Sequence, residues 1–182
     1  MSIATRRGDT GETDLLFGTR LSKCHPRVHA LGEVDELNAA LGLIRVFSRT
    51  PETVEICATV QQHLIPFMGQ IATPPGQETR YAATHPRVLT QTEIAWLDAW
   101  VSRLESDPAC QPHGWSLPGA AGSIAAAHAD LARTIARRAE RSLVALAATA
   151  DAIPNPHLQP YLNRLSDVLW LLARHEEASP TP

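Results

Sequence analysis

The sixteen residues 132–147, ARTIARRAERSLVALA, decide how the rest of the chain is read. Their alanine content favours helix, yet four arginines and one glutamate fall within nine positions. At 100° per residue Leu131, Ile135, Ala139, Leu143 and Leu146 gather on one face, while Arg133, Arg137 and Arg141 recur on the other, beside Glu140. The ladder has two readings. It is a solvated face whose charges are neighbours at helical spacing, or it grips polyphosphate, which arginine's planar fork binds through charge-assisted, often bidentate bonds. The helix alone leaves both open.

Composition narrows the setting. At 182 residues the chain suits one domain able to bury a core without disulfides or a metal. A net charge of −3 argues against a general nucleic-acid binder, so any anion site must be local. Cys24, Cys57 and Cys110 are odd in number and form no C-x-x-C pair, which fits a reducing, cytoplasmic setting. A polar N-terminus and the lack of any apolar run of about 18 residues predict neither an export signal nor a membrane span.

Helical signals flank the arginine ladder. Residues 5–27 mix glycines with arginines and a lysine and read as an extended loop. From about 28 to 47, Ala30, Val34, Leu37, Leu41 and Ile44 share one helical face, while Asp35, Asn38 and Gly42 give a small polar one. Thr50-Pro51 opens a second helix to about 72, with Pro66 expected to kink it. The stretch TPPGQETRYAATHPRVL (73–89) reads as loop, and Thr90 to Glu93 is a capping-box pattern opening a third helix. After a loop at 105–122 comes the helix of the ladder, then a last helix from Tyr161. There Leu162, Leu165, Val168, Leu169 and Leu172 cover a broad arc opposite a stripe of Asn163, Asp167, Trp170 and Arg174. With no strand-like alternation, five helices predict an all-α bundle, one domain over 1–177 and a disordered tail at 178–182.

The chemistry is narrowed largely by what is missing. No G-x-x-x-x-G-K-[ST] occurs, so the glycines of the N-terminal loop are not a P-loop, although they suit a backbone anion nest beside Lys23. No histidine has a glutamate three residues before it, against di-iron chemistry, and no G-x-S-x-G elbow appears. Asp35 is either an exposed helical acid or one half of an ion pair with an arginine. Trp115 is either loop padding or an aromatic held in a fixed direction by the turn Leu117-Pro118-Gly119.

Five segments in order, TRRGDTGETDLLFGTRLSK, GEVDELNAALGL, LPGA, ARTIARRAER and YLNRLSDVLW, together resemble the PduO-type ATP:cob(I)alamin adenosyltransferases over nearly the whole chain. The resemblance implies a ferritin-like five-helix bundle with an N-terminal nucleotide-binding loop, assembled as a homotrimer with ATP and corrinoid between subunits. Carried across by position, Thr5, Gly8, Asp9, Gly11, Thr13, Arg20 and Lys23 would wrap ATP, joined by Arg137, Glu140 and Asn163. Mg²⁺ would bridge the phosphates, with Glu140 a contact to it. Asp35 would pair with Arg133 across the subunit boundary, and Trp115 would stand where relatives carry phenylalanine, beside the corrinoid. Arg7 replaces the usual threonine before Gly-Asp, Ala120 the second glycine of P-G-G, and Asp130 a common histidine.

The reaction so implied moves the 5′-deoxyadenosyl group of ATP to cob(I)alamin and releases triphosphate. Co(I) is the nucleophile, so no catalytic triad is needed and the protein's part is positioning and charge stabilisation. Cob(II)alamin must first be reduced, with a flavin reductase as donor and an adenosylcobalamin-dependent mutase as recipient. Two other readings stand beside the enzyme: a non-catalytic corrinoid or nucleotide carrier, and a purely structural helical trimer.

Overall fold

The computed structural model describes residues 4–85, 87–111 and 114–178. A short antiparallel ribbon, β1 (Glu12–Asp14) and β2 (Arg20–Ser22), pairs Thr13 with Leu21 and precedes six α-helices. These are α1 (Pro26–Phe47), α2 (Pro51–Ile71), α3 (Glu78–Thr84), α4 (Gln91–Glu105), α5 (Ile124–Ala147) and α6 (Leu158–Ala178). The fold is mostly helical. It corrects the expectation of five helices and no strands in two places: the ribbon lies in the N-terminal loop, and α3 lies in the stretch read as loop. Of the tail read as disordered, Ala178 closes α6 and 179–182 lie outside the described residues.

Helix ends follow local chemistry. In α1, Pro26 fills the first turn, where a missing N–H costs nothing, and the His25 ring accepts from the Arg27 N–H at 3.1 Å. The α4 capping box is complete: the Thr90 hydroxyl accepts from the Thr92 N–H, and Glu93 accepts from the Thr90 N–H at 2.8 Å. Ser123 caps α5. Helix α2 runs on through Pro66, whose carbonyl accepts from the Gln70 side chain and from the Tyr81 hydroxyl. That second bond explains α3. Tyr81 is buried against α2, and a Cβ on Gly69 would overlap its ring.

Helix α5 packs against both α1 and α6, while α1 packs on α2 and α4 on α6. Alanine makes this approach close: Ala125, Ala126, Ala129, Ala132, Ala136 and Ala139 are all buried in α5. Leu131, expected on the apolar face, is instead half exposed. The α6 leucines fill the centre as their spacing predicts. Arg27, read as part of the N-terminal loop, is fully buried, and its guanidinium donates to the carbonyls of Ile71, Thr73 and Asp151. It thereby clamps together the start of α1, the end of α2 and the α5–α6 connection. No helix among the described residues is long and apolar enough to cross a membrane.

Candidate active site

Two structures carry most of the sequence-derived site: a ribbon tied to the end of α2, which Arg27 also clamps, and a groove that runs along α5 and α6. The first is the ribbon. Gly11 adopts φ +85°, a conformation cheap only for glycine, and its carbonyl accepts from the Lys23 N–H at 2.8 Å. The Lys23 ammonium lies over Gly8, where an added Cβ would come within 3.1 Å of Nζ. Arg20 splints the ribbon, pairing with Glu12 and Asp14 at 3.3 Å and donating to the Arg7 carbonyl at 2.9 Å. Arg7 also pairs with Asp14. Thr5, Asp9 and Gly11 are exposed, and Gly8 and Thr13 half-buried. The Leu16 N–H bonds to the Ala72 carbonyl, tying the ribbon to the end of α2.

The second structure is the outer groove between α5 and α6. Asn163 donates to Glu140 at 3.2 Å, and Arg174 donates to Asp130 at 2.7 Å. Ten residues along α5 thus match eleven along antiparallel α6. This register sets Arg137 level with Asp167, and Arg133 level with Trp170. On this stripe Asn163 and Arg174 meet Glu140 and Asp130 of α5, whereas Asp167 pairs with Arg164, which in turn holds Asp98 of α4. The arginine ladder divides its work. Arg138 pairs with Glu33 and Glu36 of α1, Arg141 donates to the Arg137 carbonyl, and Arg133 pairs with Asp130 at 3.3 Å. Arg137 is exposed.

Beyond Trp170 the groove widens into a cleft of about 450 Å³, lined by Trp115, Leu117, Ala121, Trp170, Arg174 and Glu177. Trp115 is 92% exposed, so its indole is not held by this chain's own core. The floor is firm. Burial alone would lower the Arg174 pKa, but its bonds to Glu177 and Asp130 outweigh that and raise it, so the guanidinium stays charged. It also lies over the Trp170 ring at 5.2 Å. From Asn163 to Trp170 is seven residues, about 10 Å along the helix. Arg137, Glu140 and Asn163 on the one hand and Trp115 on the other thus lie at successive levels along α5 and α6, while the other residues matched to the nucleotide lie in the ribbon.

The pairing of Asp35 with Arg133 is expected between subunits, and within one chain the two stand apart. Asp35 is exposed on α1 and has no contact with Arg133, whose partner here is Asp130. Its neighbours on that face turn towards α2, with Gln61 donating to the Asn38 carbonyl at 2.9 Å and lying 3.7 Å from a Cβ on Gly42. No contact among the described residues joins Lys23 to Arg137 or Glu140. Asp130, Trp170 and Arg174 lie outside the set of residues that the resemblance matches to ATP and corrinoid. The stripe on α6 and the i, i+3 spacing of Asp130 and Arg133 were the available signals.

The family model for cobalamin adenosyltransferase matches residues 3–176. The chain belongs to the cobalamin adenosyltransferase family. It is 40% identical over 174 residues to a cobalamin adenosyltransferase of Cupriavidus metallidurans, covering 94% of this chain and 86% of that one. It is 38% identical to the corrinoid adenosyltransferase PduO of Salmonella typhimurium, over 98% of this chain but 50% of that protein. The chain thus spans about half the length of the PduO proteins it matches. Among solved structures, a variant PduO-type ATP:corrinoid adenosyltransferase from Lactobacillus reuteri, complexed with cobalamin and ATP, superposes with a TM-score of 0.83. That match is 31% identical and covers 96% of this chain and 90% of the other.

Proposed function

We propose that this chain transfers the 5′-deoxyadenosyl group of ATP to cob(I)alamin, forming adenosylcobalamin and releasing triphosphate. The observation that carries the reading is the α5–α6 groove, which sets Arg137, Glu140 and Asn163 beside the Trp115 cleft. The Lactobacillus reuteri member of the family is complexed with cobalamin and ATP, and a groove that offers both charged and aromatic side chains suits such a pair of substrates. In this reading the working unit is a single domain over 1–177, a bundle of the five long helices α1, α2, α4, α5 and α6 with a nucleotide-binding loop, assembled as a cytoplasmic homotrimer. Asp35 reaches Arg133 of a neighbouring copy, which explains why the two do not touch within one chain.

The residues divide the work by charge. Thr5, Gly8, Asp9, Gly11 and Thr13 wrap the nucleotide, with Lys23 supplying a point charge and Arg20 keeping the ribbon in shape. Asn163 steadies Glu140, a half-exposed carboxylate of the hard-oxygen type that suits Mg²⁺. The ion's contribution is to neutralise triphosphate charge. Arg137 takes phosphate oxygens in its fork. In the transfer a Co–C bond forms at C5′ and the C5′–O bond breaks, its electron pair leaving with triphosphate. Lys23 and Arg137 stabilise that departing charge, and a preorganised donor of this kind is worth about 3 kcal/mol. Reduction of cob(II)alamin comes first, with electrons from a flavin reductase. The indole of Trp115, apolar and large, keeps the axial ligand from cobalt at that stage.

Anaerobic incubation with ATP, Mg²⁺ and chemically reduced cob(I)alamin tests the proposal. The corrinoid spectrum should pass to that of adenosylcobalamin over many turnovers, and only with ATP present. Tight binding of both substrates without product would replace the enzyme by a carrier that hands its ligand to a mutase.

A further inference from the structure

Away from the groove, three potential metal ligands converge where the 3-10 turn Pro108–Cys110 meets α6. They are Asp107 just before the turn, Cys110 at its end and His175 near the end of α6. One ligand atom from each lies within 4.8 Å of the other two. The Nδ1 of His175 is 3.6 Å from Asp107 Oδ2 and 3.9 Å from the Cys110 sulfur. A tetrahedral zinc, with bonds of about 2.3 Å to sulfur and 2.0 Å to nitrogen and oxygen, holds S and N about 3.6 Å apart and N and O about 3.3 Å. Both distances from His175 are within a few tenths of an ångström of that arrangement, and Asp107 and Cys110, within 4.8 Å of each other, would close on the ion as it binds.

We propose that Asp107, Cys110 and His175 bind a divalent transition-metal ion of the zinc class, separate from the magnesium of the nucleotide. Sulfur, imidazole and carboxylate are the donor types zinc takes. Asp107 already spends Oδ1 on capping the turn, accepting from the Ala109 N–H at 2.9 Å, which aims Oδ2 at His175. Cys110 is buried while Asp107 and His175 are half-buried, so a water can complete the shell on the open side. Binding exchanges the thiol proton for the metal: the S–H bond breaks, a sulfur–metal bond forms, and the proton leaves to solvent. Ala109 and Gln111 line the Trp115 cleft. The metal would therefore pin to α6 the segment from which the cleft loop departs.

The test is an anaerobic titration of the full chain, free of corrinoid, with Co²⁺ as the spectroscopic substitute. The expected result is visible d–d absorption together with a near-ultraviolet thiolate-to-cobalt band, both saturating at one equivalent per chain and abolished by added Zn²⁺. Cys110→Ser should remove the thiolate band and Cys24→Ser should leave it intact. Asp107→Asn, which keeps the cap on the turn, should weaken Co²⁺ binding about tenfold or more. That variant carries the test if Cys110→Ser does not fold. No saturating band in the wild-type chain, a band that survives Cys110→Ser, or unchanged affinity in Asp107→Asn would overturn the proposal.

Discussion

Arg174 donates to Asp130 across the α5–α6 interface at 2.7 Å, with both side chains more than nine-tenths buried. Asp130 also holds Arg133, and Glu177 holds the other side of Arg174 at 2.7 Å. An acid at position 130 thus fixes the floor of the Trp115 cleft and the direction of Arg133 at once.

Removing that acid should cost stability out of proportion to its size. Asp130→Ala leaves a buried guanidinium with only Glu177, and breaking a buried pair costs about 3 kcal/mol, the lower end of the usual range because one partner remains. Urea unfolding of Asp130→Ala beside Asp130→Asn measures it. A loss below about 1 kcal/mol, typical of exposed pairs, would mean that the network does not hold the cleft floor.

The ladder on α5 is separable residue by residue. Arg137→Lys should lose about 10- to 100-fold in ATP affinity, since a point charge cannot reproduce a bidentate fork. Arg141→Ala, whose guanidinium turns back to the Arg137 carbonyl, should lose much less. Equal, small losses in an ATP titration would return the ladder to a solvated face.

Trp115 should matter to cobalt and not to nucleotide. Trp115→Ala is expected to leave ATP affinity nearly unchanged and to shrink the bound four-coordinate Co(II) signal. Turnover begun from Co(II) with a reductant should fall about tenfold further than turnover begun from preformed Co(I), a difference of ~1.4 kcal/mol in barrier. An undiminished four-coordinate signal would assign the displacement to another side chain.

His63 gives the bundle an acid-labile point. Burial holds its pKa below 6.5, against the pull of Glu93, and its ring meets the buried Tyr161 hydroxyl at 3.2 Å. Below pH 6.5 the unfolded chain takes up this proton more readily than the folded one, so stability is full above that point and falls on acidification. The melting midpoint should drop between about pH 7.5 and 5.5 in the wild type, and less steeply in His63→Gln. Parallel slopes would show that His63 is not the group responsible.

Legibility in the sequence followed the range of the interactions concerned. The leucine period of α6 and the Thr90–Glu93 box are local patterns and appear in the structure as their spacing implies. Helix α3 is hidden behind prolines and glycine because its support is distant: Tyr81 buries against Gly69 and Pro66 of α2. The ribbon escaped notice because strands of three residues are too short to show alternation. In the candidate site, the polar stripe on α6 was visible, but its partners were not. Periodicity places Asn163 and Arg174 on one face without saying that Glu140 and Asp130 lie opposite; the family resemblance brings Asn163 and Glu140 to one site but does not pair them. The role of Arg27 is not legible in the sequence, since a cation buried on three carbonyls has no signature in its neighbours.

Attack at C5′ defines the proposed reaction, and its products report it directly. Wild-type chain supplied with ATP, Mg²⁺ and excess cob(I)alamin should release one intact triphosphate for each adenosylcobalamin formed, through many turnovers, with both products followed in the same anaerobic reaction. ADP and phosphate in place of triphosphate, or substrates that bind without forming a Co–C bond, would contradict it.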